Sequence, residues 1–330
     1  MALESSGTMS IGGNTSGRSI NLELGRPASN NSNLNETDLR SLAGVPGSGN
    51  EIGIDDFYGA SSFSASGGTE STPGNGYKYH LFNSPGDFNV SGSGPIHIVV
   101  IAGGGSGGMC GNGGGGAGGL VMNPNYTVPP GPHPITIGSG GAGANSGCGN
   151  GNNGGNTTFA VPSGTPIIAV GGGYGGGADS NAGAPGGSGG GGSYSRSGGS
   201  KVNPPNGPYP GFGVYGNDGN PGPGGQQSGA GGGAGGTGSP TPHPGETGGA
   251  GLQIPEFAIP GMPTMSDGTG AGYWAGGGGS YQGPGPHQQR TPQGAPGYTQ
   301  PGRTNSGDGS GGQPPAAPGG PGVVMIRYAV

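Results

Sequence analysis

Long glycine tracts held between two strand-like runs set the terms on which this chain can fold. Pro95-Ile-His-Ile-Val-Val-Ile-Ala102 enters the tracts, and Gly322-Val-Val-Met-Ile-Arg-Tyr328 leaves them. Between the two stand Gly113–Gly116, Gly189–Gly192 and Gly276–Gly279. Glycine has no side chain with which to build an apolar core, and it loses more backbone freedom on ordering than any other residue. If such a tract folds, something other than an ordinary core must hold it.

Glycine-rich sequence is more often disordered than folded. This chain has 94 Gly and 34 Pro in 330 residues. Collagen requires glycine at every third position. Consecutive Gly276–Gly279 and the period of two in Gly283-Pro284-Gly285-Pro286 break that register. Disorder is normally sustained by high charge, and only 7% of these residues are charged. The remaining ordered solution is the extended threefold helix of the polyproline II type. Helices without side chains can lie side by side and bond their N–H and C=O groups laterally. Proline is tolerated at the surface or turns of such a layer, where its missing donor matters least.

Strand signals surround the tracts. Tyr77–Phe82, Asp87–Ser91, Ile96–Ala102, Gly119–Met122, Tyr126–Val128, Pro134–Ile137, Thr157–Val161, Pro166–Val170 and Val323–Tyr328 read as short strands separated by turn residues. Gly251–Ile259 and Ala271–Ala275 are weaker candidates. The spacing predicts a small β-sandwich. The fold class expected is therefore mainly β: a small N-terminal module with short helices, then a β-sandwich with inserted polyglycine-II-like layers. Residues 1–60 form the first unit, 61–76 a Ser/Gly/Thr-rich linker, and 77–330 the β-sandwich and glycine-rich domain. In the first unit, Asn35–Gly44 reads as a helix with an Asn cap and a Gly stop, and Gly53–Gly59 as one more helical turn. Ile20, Leu22, Leu24, Leu39, Leu42, Ile54, Phe57 and Tyr58 supply a very small core there, better suited to packing on a partner than to folding alone.

Several motifs resemble chemistry and fail on context. Gly103-Gly-Gly105-Ser-Gly-Gly108 follows an apolar strand and fits G-x-G-x-x-G. A dinucleotide fold needs a helix next, and Met109-Cys-Gly-Asn-Gly-Gly-Gly-Gly116 cannot form one at about 1 kcal/mol per glycine. Gly104–Gly108 and Gly186–Gly190 fit G-x-S-x-G without the helix, acid and His that a nucleophile elbow requires. No Gly-Lys-Ser/Thr triplet occurs, and His80, His97, His133, His243 and His287 do not pair at metal spacing. No catalytic residue, metal or cofactor is expected, and the chain is not read as an enzyme. A formal net charge of −6 argues against a nucleic-acid partner. Met1-Ala-Leu-Glu-Ser-Ser lacks the basic and apolar regions of a signal peptide, so synthesis in a cytoplasm is expected. Cys110 and Cys148 lie among Gly and Asn. They read either as unpaired loop residues or as one disulfide clamping a glycine-rich turn, and a reducing cytoplasm favours the former.

Aromatic residues in Gly/Pro turns are the remaining distinctive feature: Tyr194, Tyr209, Phe212, Tyr215, Tyr273, Trp274, Tyr281 and Tyr298. On loops such side chains offer large contact area and few rotatable bonds, a common binding solution. The alternative is that they cover the ends of the glycine layers. For Tyr273 and Trp274, beside a strand-like segment, packing is favoured.

Tyr77-Lys-Tyr-His-Leu-Phe-Asn-Ser-Pro-Gly-Asp-Phe-Asn-Val90, followed by Ile98-Val-Val-Ile-Ala-Gly-Gly-Gly-Ser-Gly-Gly108, resembles the opening of glycine-rich domains in bacteriophage tail-fibre and adhesin proteins. Gly272-Tyr-Trp-Ala-Gly-Gly-Gly-Gly-Ser-Tyr281 and the closing Val323–Tyr328 are similar to later parts of those domains. Ser19–Gly25, Asp38–Gly44 and Ile54–Gly59 resemble a leader on virion structural proteins, especially from phages of aquatic bacteria. The resemblance implies a virion protein, a tail fibre or adhesin, assembled in the host cytoplasm as a homo-oligomer, a trimer for a fibre. It implies docking on other virion proteins through residues 1–60, with Leu22, Leu24, Leu39, Leu42, Ile54, Phe57 and Tyr58 as attachment candidates. It also implies contact with a host cell-surface glycan or outer-membrane protein. Tyr194, Tyr209, Phe212, Tyr215, Tyr281 and Tyr298 are the receptor-binding candidates. A head-decoration, baseplate or other tail-associated protein without receptor role is the alternative. A secreted glycine-rich matrix protein is disfavoured by the N-terminus.

Overall fold

The computed structural model describes residues 3, 9–14, 17–29, 32, 34, 36–43, 53–57, 63–110, 113–144, 147–162, 164–177, 181–205, 207, 209–224, 227–238, 247–258, 272–280, 301–312 and 317–330. Thirteen strands are present among them: β1 (Ser64–Ser66), β2 (Thr69–Ser71), β3 (Tyr77–Phe82), β4 (Gly86–Ser91), β5 (Gly94–Ile101), β6 (Leu120–Val128), β7 (Gly131–Thr136), β8 (Thr157–Phe159), β9 (Ile167–Ala169), β10 (Gly213–Tyr215), β11 (Leu252–Gln253), β12 (Tyr273–Trp274) and β13 (Val323–Ala329). One antiparallel sheet has the order β1-β4-β7-β8-β9 and a second β10-β6-β5-β13-β3-β2, while β11 and β12 pair separately. The fold is mainly β, as the strand spacing predicts.

The apolar run in β5 is continuous because both of its faces are covered. Ile96, Ile98 and Val100 join Phe82, Phe88, Val121, Phe159, Val324 and Ile326 in the core between the two larger sheets. Val99 and Ile101 point the other way and join Tyr79, Leu120, Val323, Met325, Phe257 and Trp274. In β6 the expected break after Met122 is a bulge. Asn123 pairs with Ile98 and Tyr126 with Ile96, so Pro124 sits where the ladder is interrupted and no donor is needed. The weak segment 251–259 holds only two paired residues before Pro255 opens a 3₁₀ turn, Pro255–Phe257.

The stretch expected to be a linker, 61–76, carries two paired strands. β1 pairs with β4, and β2 pairs with β3. Polar composition misleads here because the edge of a sheet can be half solvated. Only Ala65 of β1 is buried, and its N–H donates to the Tyr328 hydroxyl at 3.1 Å.

Between the strands the glycine tracts form a lattice of extended runs. Residues 113–119 lie at its centre. Gly113, Gly116 and Gly119 donate to the carbonyls of Gly176, Gly173 and Val170. Gly114 and Ala117 donate to Gly229 and Gly232, and Gly115 and Gly118 to Ser310 and Gly307. The carbonyls of Gly113, Gly116 and Gly119 accept from Gly108, Gly105 and Ala102, those of Gly114 and Ala117 from Gly191 and Ser188, and that of Gly115 from Gly278. Each set repeats every three residues, so successive residues face three different directions, as in a threefold helix. The glycines of this run are absent from the left-handed region, consistent with polyproline II backbone. Six neighbouring runs therefore surround one central run, and they come from 102–108, 170–176, 188–191, 229–232, 278 and 307–310.

Close packing of backbones leaves no space for side chains. A Cβ on Gly115 would lie 2.2 Å from the Gly105 carbonyl oxygen, and one on Gly278 would lie 1.9 Å from that of Ser310. Ser106 inside the lattice bonds to it through its side chain. The buried Ser106 hydroxyl donates to the Ala142 carbonyl and accepts from the Asn152 N–H, both at 2.8 Å.

In residues 1–60, α1 (Ile20–Glu23) is capped by Ser19, and α2 (Thr37–Leu42) occupies the middle of the expected helix. Leu3, Ile20, Leu39, Leu42 and Phe57 form a small buried cluster of their own, with Leu24 packed against it. Arg26 holds this module together by pairing with Glu36 at 2.6 Å and with Asp38.

Candidate binding tip

The strands deliver the glycine runs into the lattice at one end and collect them again at the same end. β5 leads directly into 102–109, and 113–119 leads directly back into β6. Runs 138–144, 171–177 and 217–222 leave the strand end in the same way. Side-chain and backbone contacts join described residues at the far ends of these runs. Cys110 is bonded to Cys148, with Cα atoms 4.9 Å apart. The Tyr194 hydroxyl donates to the Cys110 carbonyl at 3.0 Å. Ser193 N–H donates to the Asn181 carbonyl at 3.1 Å, and Gly224 N–H to the Tyr194 carbonyl at 3.2 Å. Asn150 Oδ1 accepts from the Gly177 N–H at 2.9 Å.

Non-glycine side chains are present at this end of the lattice. Tyr194 is half-buried, while Cys110, Ser195, Arg196, Ser197, Pro221 and Pro223 are exposed. Cys110 and Tyr194 both adopt positive φ, 60° and 45°, a conformation that side-chain-bearing residues rarely take. The disulfide and the Tyr194–Cys110 hydrogen bond hold them in it. The surface offers a phenol, hydroxyls, amides and a guanidinium on a rigid base, which suits polar recognition by hydrogen bonding and ring stacking.

The other aromatic candidates lie elsewhere. Tyr209 is 7% exposed and belongs to the sandwich core. Its hydroxyl accepts from the Ile168 N–H at 2.9 Å, and burial raises its pKa. Phe212 packs between Tyr209 and Tyr126, at 5.9 and 5.3 Å between ring centroids. Tyr215 lies in β10, paired with Leu120. Tyr209 is buried in the sandwich core, while Phe212 and Tyr215 are half-buried and pack against the cores where β10 adds to the sheet. Trp274 is buried and packs likewise. Tyr281 and Tyr298 lie outside the described residues.

Of the attachment candidates, Leu39, Leu42 and Phe57 are buried in their own module and Leu24 is partly covered, whereas Leu22 and Ile54 are 37% and 42% exposed. Leu22 also lines a cleft with Ser91, Pro95, Asn125 and Thr127 of the sandwich, and Tyr58 lies outside the described residues. Sequence reasoning missed one polar device. Arg303 and Asp308 form a buried ion pair at the strand end of the lattice. Arg303 Nη2 reaches Asp308 Oδ1 at 2.9 Å and the Tyr273 carbonyl at 3.1 Å, and Asp308 Oδ1 also accepts from the Gly276 N–H at 2.8 Å. Its five-residue spacing within a Gly/Ser-rich stretch carries no signal by itself.

Comparison with protein families decides the relationship. Residues 83–329 match the model of a glycine-rich domain, from just after β3 through β13. The chain belongs to this glycine-rich domain family. The match covers β4 through β13 together with the glycine lattice, so these strands and the glycine runs are matched as one unit, and β1, β2 and β3 precede it. No curated protein matches the chain. Among the described residues, no three of His, Cys, Asp and Glu come together as a metal-binding set, and no helix is long and apolar enough to cross a membrane.

Proposed function

We propose that this protein is a phage virion component, a tail fibre or adhesin, that binds the host cell surface through the distal tip of its glycine lattice. The observation that carries this reading is the segregation of side chains. The lattice interior tolerates glycine and a few small residues, as the contacts at Gly115 and Gly278 require. Chemical variety can therefore enter only at the turns and the outer edges of the lattice, and the turns around Tyr194 and Arg196 offer one such surface. A scaffold that keeps sequence change out of its interior suits recognition of a partner that differs between hosts. The partner proposed is a surface glycan or outer-membrane protein, bound without catalysis. Residues 1–60, with exposed Leu22 and Ile54, are the proposed attachment to other virion proteins.

The test is adsorption of assembled particles carrying Tyr194→Ala together with Arg196→Ala. Particle yield should be unchanged and adsorption to host cells should fall by about tenfold or more, the loss expected when one or two central contacts are removed. Unchanged adsorption would sink the adhesin reading. Hundreds of copies at head-lattice positions in images of the particle would replace it with a decoration protein.

A further inference from the structure

The run 171–177 has backbone donors and acceptors facing every neighbour. Gly172 and Gly175 donate to the carbonyls of Gly103 and Ser106, and Gly173 and Gly176 donate to Ser188 and Gly191. Its own carbonyls accept from 113–119, from Gly151 and Gly154, and from Ala184 and Gly187. One donor row remains: the N–H groups of residues 171, 174 and 177. In an unbounded lattice a further glycine run would supply the carbonyls. Here three asparagine side chains do so. Asn156 Oδ1 accepts from Gly171, Asn153 Oδ1 from Tyr174 and Asn150 Oδ1 from Gly177, each at 2.9 Å.

The pattern follows from the threefold helix. Asn150, Asn153 and Asn156 are three residues apart, so their side chains share one face, at a pitch of about 9 Å. The donors they meet are also three apart, on an antiparallel neighbour. The intervening Gly151 and Gly154 face inward, where a Cβ would lie 2.2 Å from the Ser106 oxygen and 2.0 Å from the Gly103 oxygen. The third face, Asn152 and Gly155, accepts from Ser106 and Gly103 through the main chain. An asparagine side chain ends in the same amide group as the backbone, so its oxygen replaces a peptide carbonyl as acceptor. Asn153 and Asn156 are exposed, which places the ladder at the outer surface of the lattice.

We propose that Asn150, Asn153 and Asn156 form an edge cap: they close an open donor row of the glycine lattice against a glycine-rich run from a second copy of this chain. An uncovered row of N–H groups at regular pitch would template addition of another strand, as the edge of a β-sheet does. The ladder occupies that row from within the same chain, and its amide nitrogens keep the outer side hydrated.

The test uses the full chain with Asn150, Asn153 and Asn156 all changed to Ala, compared with the same three changed to Asp. Sedimentation velocity over a range of concentrations reads association, and hydrogen exchange reads the amides of 171, 174 and 177. The alanine variant should form concentration-dependent species larger than the wild-type particle. Exchange at the three amides in its smallest species should be faster by about tenfold, the effect of one lost hydrogen bond. The aspartate variant keeps an acceptor and should match wild type in both. The single Asn153→Ala variant keeps the rest of the ladder. It should speed exchange at Tyr174 alone, which covers the case in which the triple variant fails to fold. Wild-type sedimentation of the folded alanine variant, or equal association of the aspartate variant, would overturn the proposal. So would unchanged exchange at Tyr174 in Asn153→Ala.

Discussion

Gly115 and Gly236 are the same residue in the same glycine-rich domain, and what surrounds them is opposite. A Cβ on Gly115 meets the Gly105 backbone at 2.2 Å, whereas one on Gly236 meets nothing within 4 Å. Gly115→Ala should therefore destabilise the protein by about 1–3 kcal/mol or more, because backbone rather than a flexible side chain must move. Gly236→Ala should stay within about 0.5 kcal/mol of wild type. Equilibrium urea unfolding of the two variants checks the contrast, and equal losses would contradict the lattice packing. His97 makes a second prediction at this scale. It is 7% exposed and packs edge-on against Phe257 at 5.0 Å. Burial chiefly, and then the Arg327 charge, lower its pKa from 6.5 to about 4, against the opposing pull of Glu256. Between those values the unfolded chain binds a proton that the folded chain does not, so stability present above pH 6.5 is lost as pH falls toward 4. The loss attributable to His97 should approach about 3 kcal/mol below pH 4. Unfolding of wild type and His97→Phe at neutral and acidic pH measures it: the variant should lose less on acidification. Neither fact is legible in the sequence, since His97 stands beside Pro95 and Ile96 like any strand residue and meets Phe257 and Arg327 only from far along the chain.

Strands β3, β5 and β13 are legible because apolar residues recur on their faces, and their bounds match the sequence reading closely. β1, β2 and β10 are not. Their residues are polar or sit in Gly/Pro surroundings, and pairing with distant strands overrides local preference. The same effect explains the aromatic candidates. Tyr209, Phe212 and Tyr215 read as loop aromatics until β10 adds to β6 and carries them to the cores. The distal turns stand between these cases. The Cys110–Cys148 bridge closes a separation of 38 residues, which by the chain-entropy account contributes up to about 4 kcal/mol. The bridge joins turns at the tip and not the strands, so reduction by a dithiol should loosen that end first. Limited proteolysis should become faster near Cys148, and the unfolding midpoint should fall. Cys148→Ser should reproduce both changes and make the protein insensitive to the reductant. A wild-type midpoint indifferent to reduction would show that the lattice alone fixes the tip.

At the scale of the whole molecule, glycine hides the arrangement it builds. Strands at both ends and the low charge point to a folded lattice. The order in which the runs pack is not written in residues without side chains. What specifies it is the sparse set of exceptions: Ser106, Ser188 and Ser310 inside, Asp308 with Arg303 at the strand end, and the asparagines three apart at the edge. These are readable only once a threefold period is assumed. The N-terminal module differs because its apolar residues make an ordinary core. Among the described residues, Leu3, Ile20, Leu39, Leu42 and Phe57 share no buried cluster with the sandwich or with the second core of the larger sheet. Stability of the glycine-rich domain should then be independent of that module, while a buried cluster of five side chains among the described residues is too small to be robust alone. Deleting residues 1–60 should leave the main unfolding midpoint within a few degrees of the full chain, equivalent to a change below about 1 kcal/mol. Scanning calorimetry of the two proteins measures this. A large fall in the midpoint would mean that the module completes the sandwich and does not stand apart as an attachment unit.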